Sequence, residues 1–276
     1  MIIAVDTGGT KTLLTLFSDT GSVIKDYRLP TPADQNKYLI ELALQVADFI
    51  KDIDPKQIRA LSLASPGIIK NNVIVWGGGN LGWKNVHVTN ALRQVLPTGT
   101  PIFVENDANL GALGEARTLK RKYRMVLYVT ISTGIGAGVV TDGILNPYLL
   151  SSEVGHMPLE YDGTVKRWET FASGKAIKKA YGKYAKDISS KRAWNHITDR
   201  MSRGLLAIIP VLQPDIIIIG GSIGTHFEKY GEQLQQLLRE RTLASIAVPP
   251  IVQASKPEEA VAYGGYYHAL NCLARK

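Results

Sequence analysis

Apolar residues run through positions 2–5 and again through 13–17, with a small polar and glycine cluster between them, so the chain is predicted to open as a β-hairpin. A turn at Asp19-Thr20-Gly21-Ser22 leads to a third strand near 23–28. The period then changes. Leu39, Leu42, Ala43, Val46 and Ile50 recur at helical spacing and predict an amphipathic helix that ends around 52–55. Strands are expected at 60–64, around 73–76 and at 102–105, and a helix beginning near Asp107 carries Leu110, Leu113 and Ala116.

The second half opens by echoing the first. Val126-Leu127-Tyr128-Val129 leads into Thr130-Ile131-Ser132-Thr133-Gly134, then into an apolar run at 135–140 and a Thr141-Asp142-Gly143 turn. This repeats the order of the opening segment: apolar strand, corner of hydroxyl and glycine, apolar strand, glycine turn. One echo of two hairpins is not a solenoid; it predicts two related lobes, each with a glycine corner. Beyond it the pattern predicts a helical stretch from Arg167 to about Pro214 and a buried strand at 215–219. A Gly220-Gly221 corner follows, then an amphipathic helix through Phe227, Leu234, Leu237 and Leu238. Ser255 and Glu258 have the spacing of a capping box for a last helix running toward Lys276.

Size agrees with two lobes, because single cores usually stop growing near the 276 residues present here. With 45% hydrophobic and 20% charged residues the chain is an ordinary globular one, not a disordered one. The longest apolar runs, such as 216–219, fall far short of the ~20 residues of a membrane span, and no basic segment precedes an apolar one at the N-terminus. A cytoplasmic protein that engages no membrane is expected. Cys272 is the only cysteine, which excludes an intramolecular disulfide and a cysteine-rich metal cluster, and it is expected as a buried thiol in the last helix. The formal charge of +8 invites a nucleic-acid reading. The cations, however, fall mainly at 117–124 and 175–203, with Lys178, Lys179, Lys183 and Lys186 spaced as on solvated helix faces. Attraction of an anionic nucleotide is the preferred reading, and no nucleic-acid partner is expected.

Three loops could meet an anion. In Asp6-Thr7-Gly8-Gly9-Thr10-Lys11, glycines let backbone N–H groups approach a phosphate, the threonine hydroxyl adds a donor, and an acidic strand end can hold Mg²⁺ through water. A tight hairpin is the alternative, and the order of elements is not that of a Walker A loop. Ser132-Thr133-Gly134-Ile135-Gly136 supplies a second corner, and two echoed corners can place donors on both sides of a triphosphate. Gly220-Gly221-Ser222 follows an apolar strand, at the carboxyl end where ligands of α/β sheets bind, or simply turns the chain into a helix.

Glu105-Asn106-Asp107-Ala108-Asn109 joins a strand to a helix with more polar groups than one cap needs. Asp107 can accept a hydroxyl proton while Asn106 positions the substrate, or Asp107 can cap the helix; the helix N-terminus is expected to favour its carboxylate form. Glu153, His156 and Glu169 could form a hydrogen-bonding rim for a polyol, or His156 could be structural. No nucleophile elbow and no zinc-finger spacing occur.

Together these segments resemble the ROK group of sugar kinases, in the hexokinase and actin-like superfamily, over essentially the whole chain. Asp6 to Lys11 resembles its first phosphate loop, Asn80-Leu81-Gly82-Trp83 its loop before the active site, and Glu105 to Asn109 its catalytic segment. Ser132 to Gly138 resembles the second phosphate loop, and Glu153-Val154-Gly155-His156 and Glu169 to Gly174 the sugar-binding stretches. Residues 214–222 resemble the strand and glycine pair near adenosine. The resemblance implies an α/β, two-lobed actin-like (ribonuclease H-like) ATPase fold with an interlobe cleft. The lobes would be 1–118 with 259–276, and 119–258. It implies ATP-dependent phosphorylation of a hexose, glucokinase-like and at the 6-hydroxyl, with ATP and Mg²⁺ as cofactors and a homodimer as the assembly. Amino sugars or fructose as acceptor, or a sugar-sensing regulator without catalysis, are the alternatives. In this frame Asp107 is the base, and Asn80, Asn106, Glu153, His156 and Glu169 bind sugar. Asp6, Gly8, Gly9, Thr10, Lys11, Thr133, Gly134, Gly220 and Gly221 bind the nucleotide, with Asp6 on the Mg²⁺ side.

The chain departs from the family's zinc site. Many members carry cysteines where this sequence has Glu160, Asp162 and Arg167, so no structural zinc is expected. An ion pair between Arg167 and one of the two carboxylates is the expected replacement.

Overall fold

The computed structural model describes residues 1–78, 81–257 and 259–275. In chain order the first elements are β1 (Ile2–Thr7), β2 (Lys11–Phe17), β3 (Val23–Pro30), α1 (Gln35–Ile50), β4 (Ala60–Ser65), β5 (Gly67–Lys70), β6 (Val73–Gly77) and β7 (Lys84–Val86). Then come α2 (Val88–Leu92), β8 (Ile102–Asn106), α3 (Asp107–Ala116), β9 (Met125–Ile131), β10 (Ile135–Thr141), β11 (Ile144–Leu145), β12 (Pro158–Tyr161) and β13 (Thr164–Arg167). The chain finishes with α4 (Glu169–Ala172), α5 (Gly174–Tyr181), α6 (Lys191–Leu212), β14 (Ile216–Gly220), α7 (Gly221–Gly224), α8 (Gly231–Arg241), β15 (Ile251–Gln253) and α9 (Ala260–Leu273).

The chain divides into two compact units, Met1–Gly114 with Glu258–Lys276, and Glu115–Pro257. The first is built on a five-stranded sheet of order β3-β2-β1-β4-β8. β1 pairs antiparallel with β2 and parallel with β4, and β4 is parallel to β8, so β1, β4 and β8 end at one edge. Burial on both faces explains why β1 and β4 read as nearly unbroken apolar runs. On one face α1 contributes Tyr38, Leu42 and Val46 to a core with Leu14, Leu61 and Leu63. On the other, α9 packs Tyr266 and Ala269 against Ile2, Ala4 and Phe17. α1 is stopped at its start by Asp34, whose side chain accepts from Lys37 N.

The second unit repeats this plan, with a sheet of order β11-β10-β9-β14-β15 in which β14 is parallel to both β9 and β15. Its core joins Leu127, Val129, Ile217 and Ile219 to Trp194, Ile197, Met201 and Leu205 of α6. Ser190 caps α6 by accepting from Ala193 N. No helix among the described residues is long and apolar enough to cross a membrane.

Four expectations are corrected, the last in part. The helical stretch from Arg167 to Pro214 is broken: Arg167 closes β13, and the rest is α4, α5, a 3₁₀ turn at Ala185–Asp187, and α6. Ser173 and Gly182 account for the breaks, Ser173 by capping α5 and Gly182 by ending it at φ 67°. Ser255 does not cap α9; its N–H and Oγ donate to Glu115 Oε2 at 2.8 and 3.0 Å, and Glu258 lies outside the described residues. Arg167 sits opposite Pro158 in the β12–β13 ladder while Glu160 Oε1 accepts from Gly163 N, and no ion pair joins Arg167 to Glu160 or Asp162 among the described residues. Cys272 lies in α9 as expected, but half-buried, with Sγ 3.7 Å from His268 Nε2.

Candidate active site

In the first unit the parallel strands deliver polar residues to their shared carboxyl edge. The register pairs Asp6 with Ala64 and Ser65 with Asn106, so β1 ends in Asp6-Thr7, β4 in Ser65, and β8 runs straight into Asp107. Burial, with a smaller push from the nearby Asp107 and a partial pull back from Arg28, raises the Asp6 carboxyl to about 7. Burial also raises Asp107, against the downward pull of its own N–H and that of Ala108, which donates to Asp107 Oδ1 at 2.9 Å. The expectation that the helix N-terminus decides in favour of the carboxylate is therefore reversed: desolvation is the larger effect.

Asn106 is held at both ends. Its Nδ2 donates to Gly67 O at 2.8 Å, and its Oδ1 accepts from Ala108 N at 2.8 Å and Asn109 N at 3.2 Å, which is the work of an N-cap. Gly67 is needed for this approach: it sits at φ 107°, and a Cβ there would come within 2.1 Å of Trp76 O. Below the junction, Glu105 is buried and its Oε1 accepts from Asn106 N at 2.8 Å and Asn109 Nδ2 at 2.9 Å. Sequence reasoning gave Glu105 no role of its own, although the run of four polar residues was the signal that something beyond a cap was being held.

The β1–β2 corner closes through Gly8 N, which donates to Lys11 O at 2.8 Å. Gly9, Thr10 and Lys11 are exposed, and a methyl group at Gly9 would meet nothing within 4 Å. The tip thus has room for a bulky anion beside it. Asn80 lies outside the described residues; the neighbouring Trp83 is buried, packed against Tyr38 with ring centroids 4.4 Å apart and planes tilted by 32°, and donates from Nε1 to Ala33 O.

In the second unit three loops meet on Ser132. Its N–H donates to Gly134 O at 2.9 Å, its carbonyl accepts from Gly174 N at 2.7 Å, and its Oγ accepts from Ser222 N at 3.0 Å. Thr133 at the tip is exposed. Gly220 and Gly221 end β14 against β9: a Cβ at Gly220 would strike the Tyr128 ring, and one at Gly221 would strike Ile131 O and Ser132 Oγ. Both glycines therefore serve close packing of the strand ends.

The remaining candidates gather beside this corner. His156 Nε2 lies 3.3 Å from Glu169 Oε1, and both side chains are partly buried. Glu153 is also partly buried, and its carbonyl accepts from His156 N at 2.9 Å, closing a 3₁₀ turn over Val154–His156. That turn rests on β10, because Gly155 leaves no space for a Cβ against Ile135 O. Gly134 faces Glu169, with Oε2 only 2.8 Å from where a Cβ would stand. The second phosphate corner and the predicted polyol rim are thus one cluster. Among the described residues no three His, Cys, Asp or Glu side chains stand close enough to hold a metal, and Glu160 and Asp162 are exposed on a hairpin.

The model of the ROK family matches residues 2–271. The chain belongs to the ROK family. Its curated ROK relatives include the glucokinase of Thermotoga maritima, 28% identical over 88% of this chain and 87% of that protein. They also include the N-acetylmannosamine kinase of Vibrio cholerae, 28% identical over 87% and 89%. The structure of a ROK family glucokinase from Streptomyces griseus, in complex with glucose and AMPPNP, covers 98% of this chain and 99% of its own, with a TM-score of 0.79 at 21% identity. At that identity the structural likeness establishes the fold, and the ROK fold it shows is the two-lobed actin-like one.

Proposed function

We propose that this ROK protein is an ATP-dependent sugar kinase that moves the γ-phosphoryl group onto a hexose hydroxyl, glucokinase-like and at the 6-hydroxyl, with Asp107 as the base. The observation that carries the reading is the pair Asp6 and Asp107 at the shared carboxyl edge of the parallel strands β1, β4 and β8, both held by burial above the ordinary carboxylate range. Placed this way, one carboxylate is a hard oxygen donor and the other an acceptor of protons, which is what metal-assisted phosphoryl transfer needs. A raised value makes Asp107 a stronger base toward an alcohol than an exposed aspartate.

Each residue then has a stated task. Asp107 accepts the proton of the attacking hydroxyl. Asn106 keeps one Nδ2 hydrogen for the sugar after donating the other to Gly67 O, so it both fixes the junction and binds substrate. Asp6 would hold Mg²⁺ through water; when bound, the ion neutralises charge on the phosphates and offsets the cost of two neighbouring carboxylates. Gly8, Gly9, Thr10 and Lys11 cradle phosphate at the first corner, and Thr133 and Gly134 at the second, while Gly220 and Gly221 bring β14 close enough for the nucleoside end. Glu153, His156 and Glu169 supply acceptors and donors to sugar hydroxyls, and Asn80 is assigned to the same sugar.

The test is ADP release, coupled to an indicator reaction, with ATP and Mg²⁺ and with glucose, mannose, fructose, N-acetylglucosamine or N-acetylmannosamine in turn. Sugar-dependent ADP release, greatest with glucose, is expected. Release that is the same with and without every sugar would overturn the proposal.

A further inference from the structure

Beside the His156–Glu169 pair lies a group of side chains on the β12–β13 hairpin, α4 and α6. β12 and β13 form a hairpin turned by Asp162 and Gly163, both at positive φ, and the hairpin carries Tyr161 at its tip. Tyr161 stacks face to face on Phe171, with centroids 4.4 Å apart and planes 3° from parallel. Arg200, from α6, donates from Nε to Tyr161 Oη at 2.9 Å and from Nη1 to Phe171 O at 3.5 Å, with its guanidinium 5.6 Å from the Tyr161 ring centroid. One cation thus ties the hairpin and α4 to the long helix.

The two ends of this group lie next to the candidate residues. Met157 follows His156, Trp168 precedes Glu169, and Trp168 N donates to Met157 O at 3.0 Å. The Trp168 ring is fully buried, donates from Nε1 to Arg200 O at 3.2 Å, and fills space that Gly204 of α6 leaves open; a Cβ there would stand 2.2 Å from the ring. α4 has only four residues, too few to hold its own position by helix propagation. The direction of Glu169 is therefore fixed by Phe171 and Trp168, and that of His156 by the hairpin that follows it.

We propose that Tyr161, Phe171 and Arg200 form a clasp that sets the spacing of His156 and Glu169, and that they are positioning residues for sugar, an inference that rests on the sugar-kinase reading above. An aromatic stack plus a charged hydrogen bond suits the task, because the planar guanidinium fixes direction as well as distance. Loss of the clasp frees the rim while leaving the β9–β10 corner intact, so sugar binding suffers and nucleotide binding does not.

The experiment compares Tyr161→Leu, Arg200→Met and Tyr161→Phe in the full chain by steady-state kinetics and by crystallography without ligands. The expected result for Tyr161→Leu and Arg200→Met is a sugar KM raised about tenfold or more, with ATP KM and kcat within about twofold of the original. Tyr161→Phe, which keeps the stack and loses the hydroxyl, should fall between. The His156–Glu169 distance should widen beyond the 3.3 Å seen here in Tyr161→Leu. If folded variants keep the sugar KM, or if both KM values rise together, the clasp has no positioning role. If the unaltered protein phosphorylates no sugar, the functional reading fails, and the distance in the Tyr161→Leu crystal, or in Arg200→Met if the first does not fold, still decides the clasp.

Discussion

Glu105 Oε1 and Asn109 Nδ2 are 2.9 Å apart, one helical turn from each other across the start of α3, and both residues are buried. The same oxygen accepts from Asn106 N, so one carboxylate holds the last strand residue and the first turn of the helix together. Asp107 lies between these points, and its direction depends on them.

Removing that acceptor should therefore cost stability at the site itself. Glu105→Ala removes a buried acceptor from both Asn106 N and Asn109 Nδ2, and a loss of about 1–3 kcal/mol is expected in urea unfolding. Glu105→Gln keeps an oxygen at the same place and, because burial already disfavours the charged form, should cost less than about 1 kcal/mol. Equal losses in the two variants would show that the carboxylate is not acting as this acceptor.

The raised carboxyl groups predict how stability depends on pH. A folded value of about 7 for Asp6, against 3.8 in the unfolded chain, means that between these values the folded protein binds more protons. Its stabilising share is fully present below the unfolded value and is lost as pH rises toward 7. Thermal unfolding of the ligand-free protein should thus show stability falling between pH 4 and 7, by roughly 2–4 kcal/mol from this group. Asp6→Asn should flatten that part of the profile. A wild-type profile that rises over the same range, with the variant unchanged, would contradict the assignment.

Gly134 offers a prediction that the echo of two corners did not suggest. A Cβ there would stand 2.8 Å from Glu169 Oε2, so Gly134→Ala should push the carboxylate aside and act on sugar before nucleotide. Steady-state kinetics should show sugar KM rising by about tenfold with a smaller change in ATP KM. The reverse order of effects would place Gly134 against phosphate alone.

Much of this was legible because strand and turn chemistry are local. The apolar runs announced the opening hairpin and the buried strand β14, and the Val126 to Gly143 segment repeated the plan of that hairpin. Asp107 was placed at a strand-to-helix junction, where the structure has it. The hairpin β12–β13 was missed although Asp162-Gly163 is an ordinary two-residue turn signal, because its short strands alternate weakly and Val165 faces solvent. The breaks in 167–214 fall at Ser173 and Gly182, whose cap signals are local and were passed over, whereas the fit of Trp168 against Gly204 joins positions far apart in the chain. The engagement of Ser255 with Glu115 is likewise non-local, and it outweighed a capping pattern four residues long. Asn106 could be assigned to substrate from its neighbours, but its hold on Gly67 O could not be read before the fold placed β5 beside β8.

The central claim is that Asp107 is the base, and Asp107→Asn tests it most directly. The asparagine keeps an oxygen able to accept from Ala108 N, so the helix start and the fold should be retained. Turnover with saturating sugar and ATP should fall by about two orders of magnitude or more, while sugar affinity stays within about tenfold of the original. A folded Asp107→Asn protein that turns over near the original rate would contradict the account.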